Sequence, residues 1–261
     1  NQPLLRRLLL EAPGTYHHAI VVANLAEAAA EKIGANPLLA RTGAYFHDIG
    51  KLKRPLYFKE NQMGDNPHDR TDPYVSAAIV TAHTRDGLAL APEIQTIIME
   101  HHGDTPVMYF YHKALQMADG KPVDIADFRY DGQRPTTKES AIVMLADTIE
   151  AAVRSIPDPT PKAIEQFIER LVRGKLEDGQ LSNSPLTLRD IDAICEAFCK
   201  VLNGVFHERI EYPTVNVPAR PLVKAEKEAE KETKQMQAEI KAEKQAEAEK
   251  TPEVKAEAKA E

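Results

Sequence analysis

Eight of the nine histidines lie between positions 17 and 112, and most stand in pairs or beside an acid: His17-His18, His47-Asp48 and His101-His102. His83 stands by itself, and Asp147 falls inside the apolar run Ala141-Ile142-Val143-Met144-Leu145-Ala146-Asp147-Thr148-Ile149. A lone histidine is usually a satisfied core or surface residue; here the set as a whole points to chemistry. Neutral imidazoles and carboxylates together ligate Mn, Fe or Zn, and a set without thiolates leans to Mn or Fe. Two such ions about 3.5–4 Å apart, sharing a bridging Asp, activate a water and clamp a phosphoryl group. That task takes about six or seven N/O ligands, and this chain offers about that many. Asp147 is informative alone, because a helix apolar nearly all round is buried. A buried carboxylate costs several kcal/mol unless it is paired or metal-bound. Asp147 therefore either ligates a metal or pairs with a cation, Arg154 or a Lys elsewhere.

The elements that must position these residues read as helices. Asn36-Pro37, Asp72-Pro73 and Thr160-Pro161 each place a capping side chain before a proline at the first helical position. Thr136 with Glu139, and Thr187 with Asp190, read as capping boxes, and Gly87, Gly103 and Gly174 as helix stops. Apolar spacing between these signals is helical and nowhere convincingly alternates at period two. The reading is an all-α domain with helices near 15–34, 37–49, 73–85, 92–102, 137–156, 161–173 and 187–209, plus shorter ones near 3–11 and 108–118. On this map His47-Asp48 and His101-His102 end two helices, His83 lies near the end of a third, and Asp147 sits mid-helix. Two connections, 50–72 and 103–135, are of a length that is usually functional or disordered in a compact domain. The second holds Tyr109, Phe110, Tyr111, Phe128 and Tyr130, which either pack on the helices or form a ligand wall.

The 261 residues carry 33 Lys+Arg against 40 Asp+Glu, a net charge of -7. Ten of those bases and eleven Glu fall within 219–261, and the rest of the chain has an ordinary globular charge share. Residues 1–218 thus read as one folded domain, and 219–261 as a solvated, partly helical or disordered Ala/Glu/Lys tail. The negative balance argues against a footprint for duplex nucleic acid, although a small phosphorylated ligand needs only a local basic pocket. No run approaches the ~18 apolar residues of a membrane span. Cys195 and Cys199, four apart, read as reduced core residues and fit a cytosolic compartment. The chain begins at Asn1 without a signal peptide and reads as a fragment.

The order His, His-Asp with Lys51 three residues on, His, His-His, then Asp resembles the HD-domain metal-dependent phosphohydrolase superfamily. Its core is the string His47-Asp48-Ile49-Gly50-Lys51. Four further strings resemble the cytosolic HD domain of the seven-transmembrane HD receptors: Ala12-Pro13-Gly14-Thr15-Tyr16-His17-His18, Asn66-Pro67-His68-Asp69, Tyr109-Phe110-Tyr111-His112-Lys113 and the Asp147 run. The resemblance covers about residues 1–215 and not the tail. It implies an HD-domain helical bundle with a dinuclear metal site, and a phosphodiesterase that cuts cyclic di-AMP to pApA. The implied metal ligands are His18, His47, Asp48, His83, His101, His102 and Asp147. Asp48 would bridge two divalent ions, Mn or Fe, with His18, His47 and Asp147 completing one and His83, His101 and His102 the other. The family pattern, not the spacing, selects His18 over His17.

On that resemblance a metal-bridging hydroxide attacks the phosphorus in line, with Asp48 and Lys51 as the catalytic pair. Lys51 either neutralises phosphate charge or only faces a helix dipole. Arg154 either reaches the phosphate or pairs with Glu150, its i,i+4 neighbour. His68 and Lys113 are candidate base or phosphate contacts. Tyr109 and Tyr111 are candidates for stacking on adenine, worth roughly 1–3 kcal/mol per base, unless they are core. After His101-His102 the chain reads Gly103-Asp104-Thr105-Pro106, without the His-His-Glu and Gly-Tyr-Pro features of the related cyclic di-GMP enzymes. Segment 128–135 is less proline-rich than the family pattern. The rival readings are an HD enzyme for another nucleotide (cyclic di-GMP, an alarmone or a mononucleotide) and a non-catalytic nucleotide-sensing module, which predicts missing ligands. The family's transmembrane part would precede Asn1, tethering this soluble fragment to the cytoplasmic face of the bacterial inner membrane; a homodimer stays open.

Overall fold

The computed structural model describes residues 2–88, 92–154, 156, 160–205 and 231–238. The chain divides into two units, Asn1–Glu208 and Arg209–Glu261. In the second, the described residues form one exposed helix at 231–238. The expected boundary at 218/219 lies outside the described residues.

The first unit is all-α among its described residues, with one isolated bridge between Pro106 and Arg129. Its helices are α1 (Pro3–Glu11), α2 (Pro13–Ile33), α3 (Pro37–Phe46), α4 (Pro73–Thr81), α5 (His83–Asp86), α6 (Pro92–Glu100), α7 (Met108–Met117), α8 (Lys138–Val153), α9 (Pro161–Glu177) and α10 (Leu188–Val205). The expected caps are in place at three of them. Asn36, Asp72 and Thr160 accept hydrogen bonds from the amides of Leu39, Tyr74 and Ala163. No described helix is long and apolar enough to cross a membrane.

α2 and α8 form the centre, and α2 packs against α3, α8 and α10. α2 and α3 are in contact, and small residues of both, Ala23, Ala26, Ala29 and Ala30 with Ala40 and Ala44, are buried in the same core cluster. Small side chains let the two axes approach closely. α8 buries Ala141 through Ala146, Ile149 and Val153, as its apolar circumference requires. α9 and α10 close the other side with Ile164, Ile168, Ile194, Phe198 and Leu202.

Several boundaries differ from the sequence reading. The expected 73–85 helix is broken at Ala82 into α4 and α5, which starts a new turn at His83. Gly174 does not stop α9, which runs to Glu177 before Gly179 takes the left-handed conformation at φ 69. One glycine inside a helix costs only about 1 kcal/mol, which the buried Ile164, Ile168 and Val172 outweigh. The cap of α8 is Thr137, reciprocally bonded to Ser140, rather than Thr136 with Glu139. Thr136 instead donates, through its amide and hydroxyl, to the buried Glu100 at the end of α6. Ser140 Oγ donates to the same carboxylate at 2.6 Å, so Glu100 ties the end of α6 to the start of α8. The long connections are ordered: four short 3-10 turns occupy 49–69, and the second connection contains α7 and a turn at Ile125–Phe128.

Candidate metal centre

Three of the histidines are presented by the same local device. The last carbonyls of a helix have no intrahelical partner. His47 Nδ1 faces Ala44 O at 2.6 Å, His83 Nδ1 faces Val80 O at 2.6 Å, and His101 Nδ1 faces Ile98 O at 2.7 Å. Each carbonyl, three residues back at the end of α3, α4 or α6, accepts the Nδ1 proton. That makes Nδ1 the outward donor and points Nε2 inward. His18, in the interior of α2, gives its Nδ1 to Glu150 Oε2 instead.

The inward atoms converge on Asp48, which follows α3 and is 1% exposed. His83 Nε2 lies 3.2 Å and His101 Nε2 3.8 Å from Asp48 Oδ1; His47 Nε2 lies 3.3 Å and His18 Nε2 3.7 Å from Oδ2. Asp147 Oδ1 is 3.0 Å from His18 Nε2 and 3.6 Å from His47 Nε2, while its Oδ2 is 3.6 Å from His102 Nδ1. Two four-residue groups result, Asp48/His83/His101/His102 and His18/His47/Asp48/Asp147, each with ligand atoms within 4.8 Å of one another and with Asp48 in common.

This donor set suits divalent cations. Neither Asp48 oxygen has a hydrogen-bond partner of acceptable geometry, although Lys51 Nζ is 2.6 Å from Oδ2. Inward nitrogens also face each other, His18 with His47 at 3.3 Å and His83 with His101 at 3.2 Å. Paired lone pairs at such separations repel unless a proton or cation lies between them. The electrostatics agree. Burial works against a charge on Asp48, but Lys51 and His47 overcome it and hold the carboxyl well below the usual range. Burial likewise opposes a charge on Asp147, which His18 and His47 offset. His47 resists protonation through burial, yet Asp48 and Asp147 push it up to about 10. Burial, then the neighbouring charges of His47 and His83, bring His101 down to about 3.

The structure thus gathers the seven expected ligand candidates in one place and leaves His17 exposed. Asp147 meets imidazoles rather than Arg154. Lys51 is held between Asp48 and Glu60, 2.8 Å from Glu60 Oε1, with its ammonium 4.9 Å from the Phe58 ring centroid. Arg154 is committed to Glu150, with Nε 2.6 Å from Oε1, and to His17 Nδ1 at 3.2 Å. His68 is buried, its Nε2 2.8 Å from Tyr57 O. Lys113 Nζ donates to His68 O at 2.6 Å. His68 and the 63% exposed Tyr109 share a mostly apolar cavity of about 480 Å³ with Tyr57, Phe58, Val80 and Phe110. Phe58 connects that cavity to the centre, its ring 5.7 Å from His83. Tyr111 packs toward Phe128.

Of the aromatic connection, Phe110 and Phe128 are core, whereas Tyr130 is buried and stacks on His102 at 4.3 Å. Sequence reasoning passed over Glu60 and Glu100, and read Glu150 only as the i,i+4 partner of Arg154, a pairing that the structure contains alongside the bond to His18. Glu150 lies three residues after Asp147, on the same face of α8, and is buried there.

The HD domain family model matches residues 15–152. The chain is 49% identical over 220 residues to a Bacillus subtilis protein named cyclic-di-AMP phosphodiesterase PgpH, covering 82% of this chain and 31% of that protein. It is 47% identical over 220 residues to the protein of the same name from Listeria monocytogenes, covering 82% and 30%. The chain therefore spans under a third of the length of these curated relatives. A crystal structure of the L. monocytogenes PgpH HD domain in complex with cyclic-di-AMP superposes with a TM-score of 0.76 at 46% identity, covering 81% of this chain and 100% of that one.

Proposed function

Because the chain belongs to the HD domain family, we propose that it is a metal-dependent phosphodiesterase that hydrolyses cyclic di-AMP to pApA. The carrying observation is the buried pair of His/Asp groups joined at Asp48, a donor arrangement suited to two divalent ions. The substrate rests on the names of the relatives and on the cyclic-di-AMP complex of the similar HD domain. His18, His47 and Asp147 would hold one ion and His83, His101 and His102 the other, with Asp48 between them. The oxygen- and nitrogen-only donor set favours Mn or Fe.

Bound there, such ions supply Lewis acidity toward water and phosphoryl oxygen. The chain's own residues do the rest. Asp48 and Asp147 stay ionised and hold the inward imidazoles in register. Lys51 places a cation at the edge of the centre, where phosphate charge develops, and Glu60 keeps its ammonium from swinging away. Phe58 and the apolar cavity beyond it receive an adenine, with His68 in the wall and Tyr109 at the rim, a stacking site worth about 1–3 kcal/mol per base. Lys113 supports that wall through the His68 carbonyl. Tyr111, through Phe128, and Arg154, through Glu150, act as supports at the periphery of substrate binding. In the full-length protein the domain would be tethered through a transmembrane part to the cytoplasmic face of the membrane, with residues 219–261 as a separate tail.

The test is turnover by the Mn- or Fe-loaded chain on cyclic di-AMP, cyclic di-GMP, an alarmone and a mononucleotide. Preferential formation of pApA is expected. Equal rates on cyclic di-GMP would overturn the substrate. Asp48→Ala is expected to lose both metal content and turnover, and activity surviving in that variant would refute the shared site.

A further inference from the structure

His18 differs from His47, His83 and His101 in where its outer proton goes. His47, His83 and His101 donate to neutral helix-end carbonyls. His18 sits within α2, where the backbone carbonyls are already engaged by the helix, so its Nδ1 proton needs a side-chain acceptor. Glu150 Oε2 is that acceptor. The carboxylate is buried, 4% exposed, and its other oxygen takes the Arg154 Nε–H at 2.6 Å. Arg154 is fixed in turn against His17 at 3.2 Å. An imidazole whose outer N–H meets a carboxylate is a stronger donor at its inner nitrogen than one backed by a carbonyl.

Charge is also unequal between the two groups. The His18/His47 group has Asp147 of its own besides the shared Asp48, whereas the other group adds only three imidazoles to Asp48. Resting on the metal-centre reading above, we propose that Glu150 is a positioning residue that makes the two metal positions unequal: it fixes His18 and causes the position framed by His18, His47 and Asp147 to fill first. Arg154 anchors Glu150 from outside. The position framed by His83, His101 and His102 fills second.

The experiment is titration of the metal-free full chain with Mn2+ alone, followed by calorimetry and by the paramagnetic resonance signal of coupled Mn pairs. Wild type is expected to show two classes of site, with the coupled signal rising only as the second fills. Glu150→Ala should weaken the tighter class about 10–100-fold and leave the weaker class where it was. Glu150→Gln keeps an acceptor for His18 without the charge and should fall between; it also covers the case in which the Ala variant does not fold. His83→Ala should remove the weaker class and spare the tighter. Equal weakening of both classes by the Glu150 variants, or wild-type affinities in them, would overturn the inference, as would loss of the tighter class in His83→Ala. A wild-type chain that binds no Mn2+ would overturn the metal-centre reading itself and this inference with it.

Discussion

At the scale of single residues, the most loaded position is Asp48, whose buried carboxylate has the permanent cation Lys51 at 2.6 Å. Removing one partner of a buried ion pair costs roughly 3–5 kcal/mol, because the other charge stays buried and uncompensated. Lys51→Met should therefore destabilise the metal-free chain by about that amount, and destabilise the Mn-loaded chain much less, since bound cations then share the Asp48 charge. Thermal unfolding with and without Mn2+ checks this; equal losses in both states would show that Lys51 serves something other than Asp48. The clustering of the histidines and the apolar run around Asp147 were legible in the sequence, but the choice of His18 over His17 came from the family pattern, since spacing leaves both on offer. The bond from His18 to Glu150 was not legible. A Glu four residues before an Arg on a helix reads as a solvated i,i+4 pair, and only the approach of α2, 132 residues away in sequence, converts it into a buried acceptor.

At the scale of elements, positions depend on how closely helix ends can approach. A Cβ at Gly50 would lie 1.9 Å from the His83 carbonyl oxygen and 2.8 Å from the Gly87 amide nitrogen. Any side chain there pushes α5, and with it His83, away from Asp48. Gly50→Ala should cost roughly 1–3 kcal/mol by overpacking and reduce Mn binding together with stability; an unaffected Mn titration would show that α5 moves freely. Gly103, with φ 56, turns the chain after His102 and is closed over by the Gln180 side chain.

Next to that turn, Asp104 takes both ends of the Arg134 fork at 3.2 Å and Gln180 Nε2 at 2.6 Å. This joins the aromatic connection to the segment after α9. Burial raises the Asp104 pKa, but Arg134 and Gln180 outweigh it and bring it below the ordinary value. The folded pKa being lower than the unfolded one, Asp104 adds stability above the unfolded value of about 3.9. That stability fades as pH falls through the folded value. Urea unfolding should find the wild type more stable than Asp104→Asn at pH 7 and the two converging below about pH 4; a gap independent of pH would rule out the charge. Helix existence was legible from caps and periodicity. The break at Ala82 and the run of α9 through Gly174 were not, because tertiary packing decides whether a weak local signal prevails.

At the scale of the whole molecule, the centre draws on α2, α5, α8 and the ends of α3 and α6, so ions bound there cross-link most of the first unit. A ligand held only by the folded state stabilises it by about 2.7 kcal/mol at a hundred times its dissociation constant. Chelation should accordingly lower the unfolding temperature of the wild type and leave Asp48→Ala unmoved, which differential scanning calorimetry would show. An unchanged transition in the chelated wild type would mean that the helices need no such cross-link.

His18 and Asp147 are 129 residues apart. During synthesis at about 5–20 residues per second, roughly 6–26 s separate the emergence of the first from that of the second. During that interval His47, Asp48, His83, His101 and His102 emerge in turn, and for its last part, roughly 2–9 s, all of them are present without the acid that completes the cluster. A set of five imidazoles with Asp48 as its one carboxylate favours copper and zinc over manganese and iron. If Mn or Fe is the resident metal, its selection belongs to the moment after α8 docks, and the cellular supply of competing ions while the chain is still being made becomes part of how this domain is assembled.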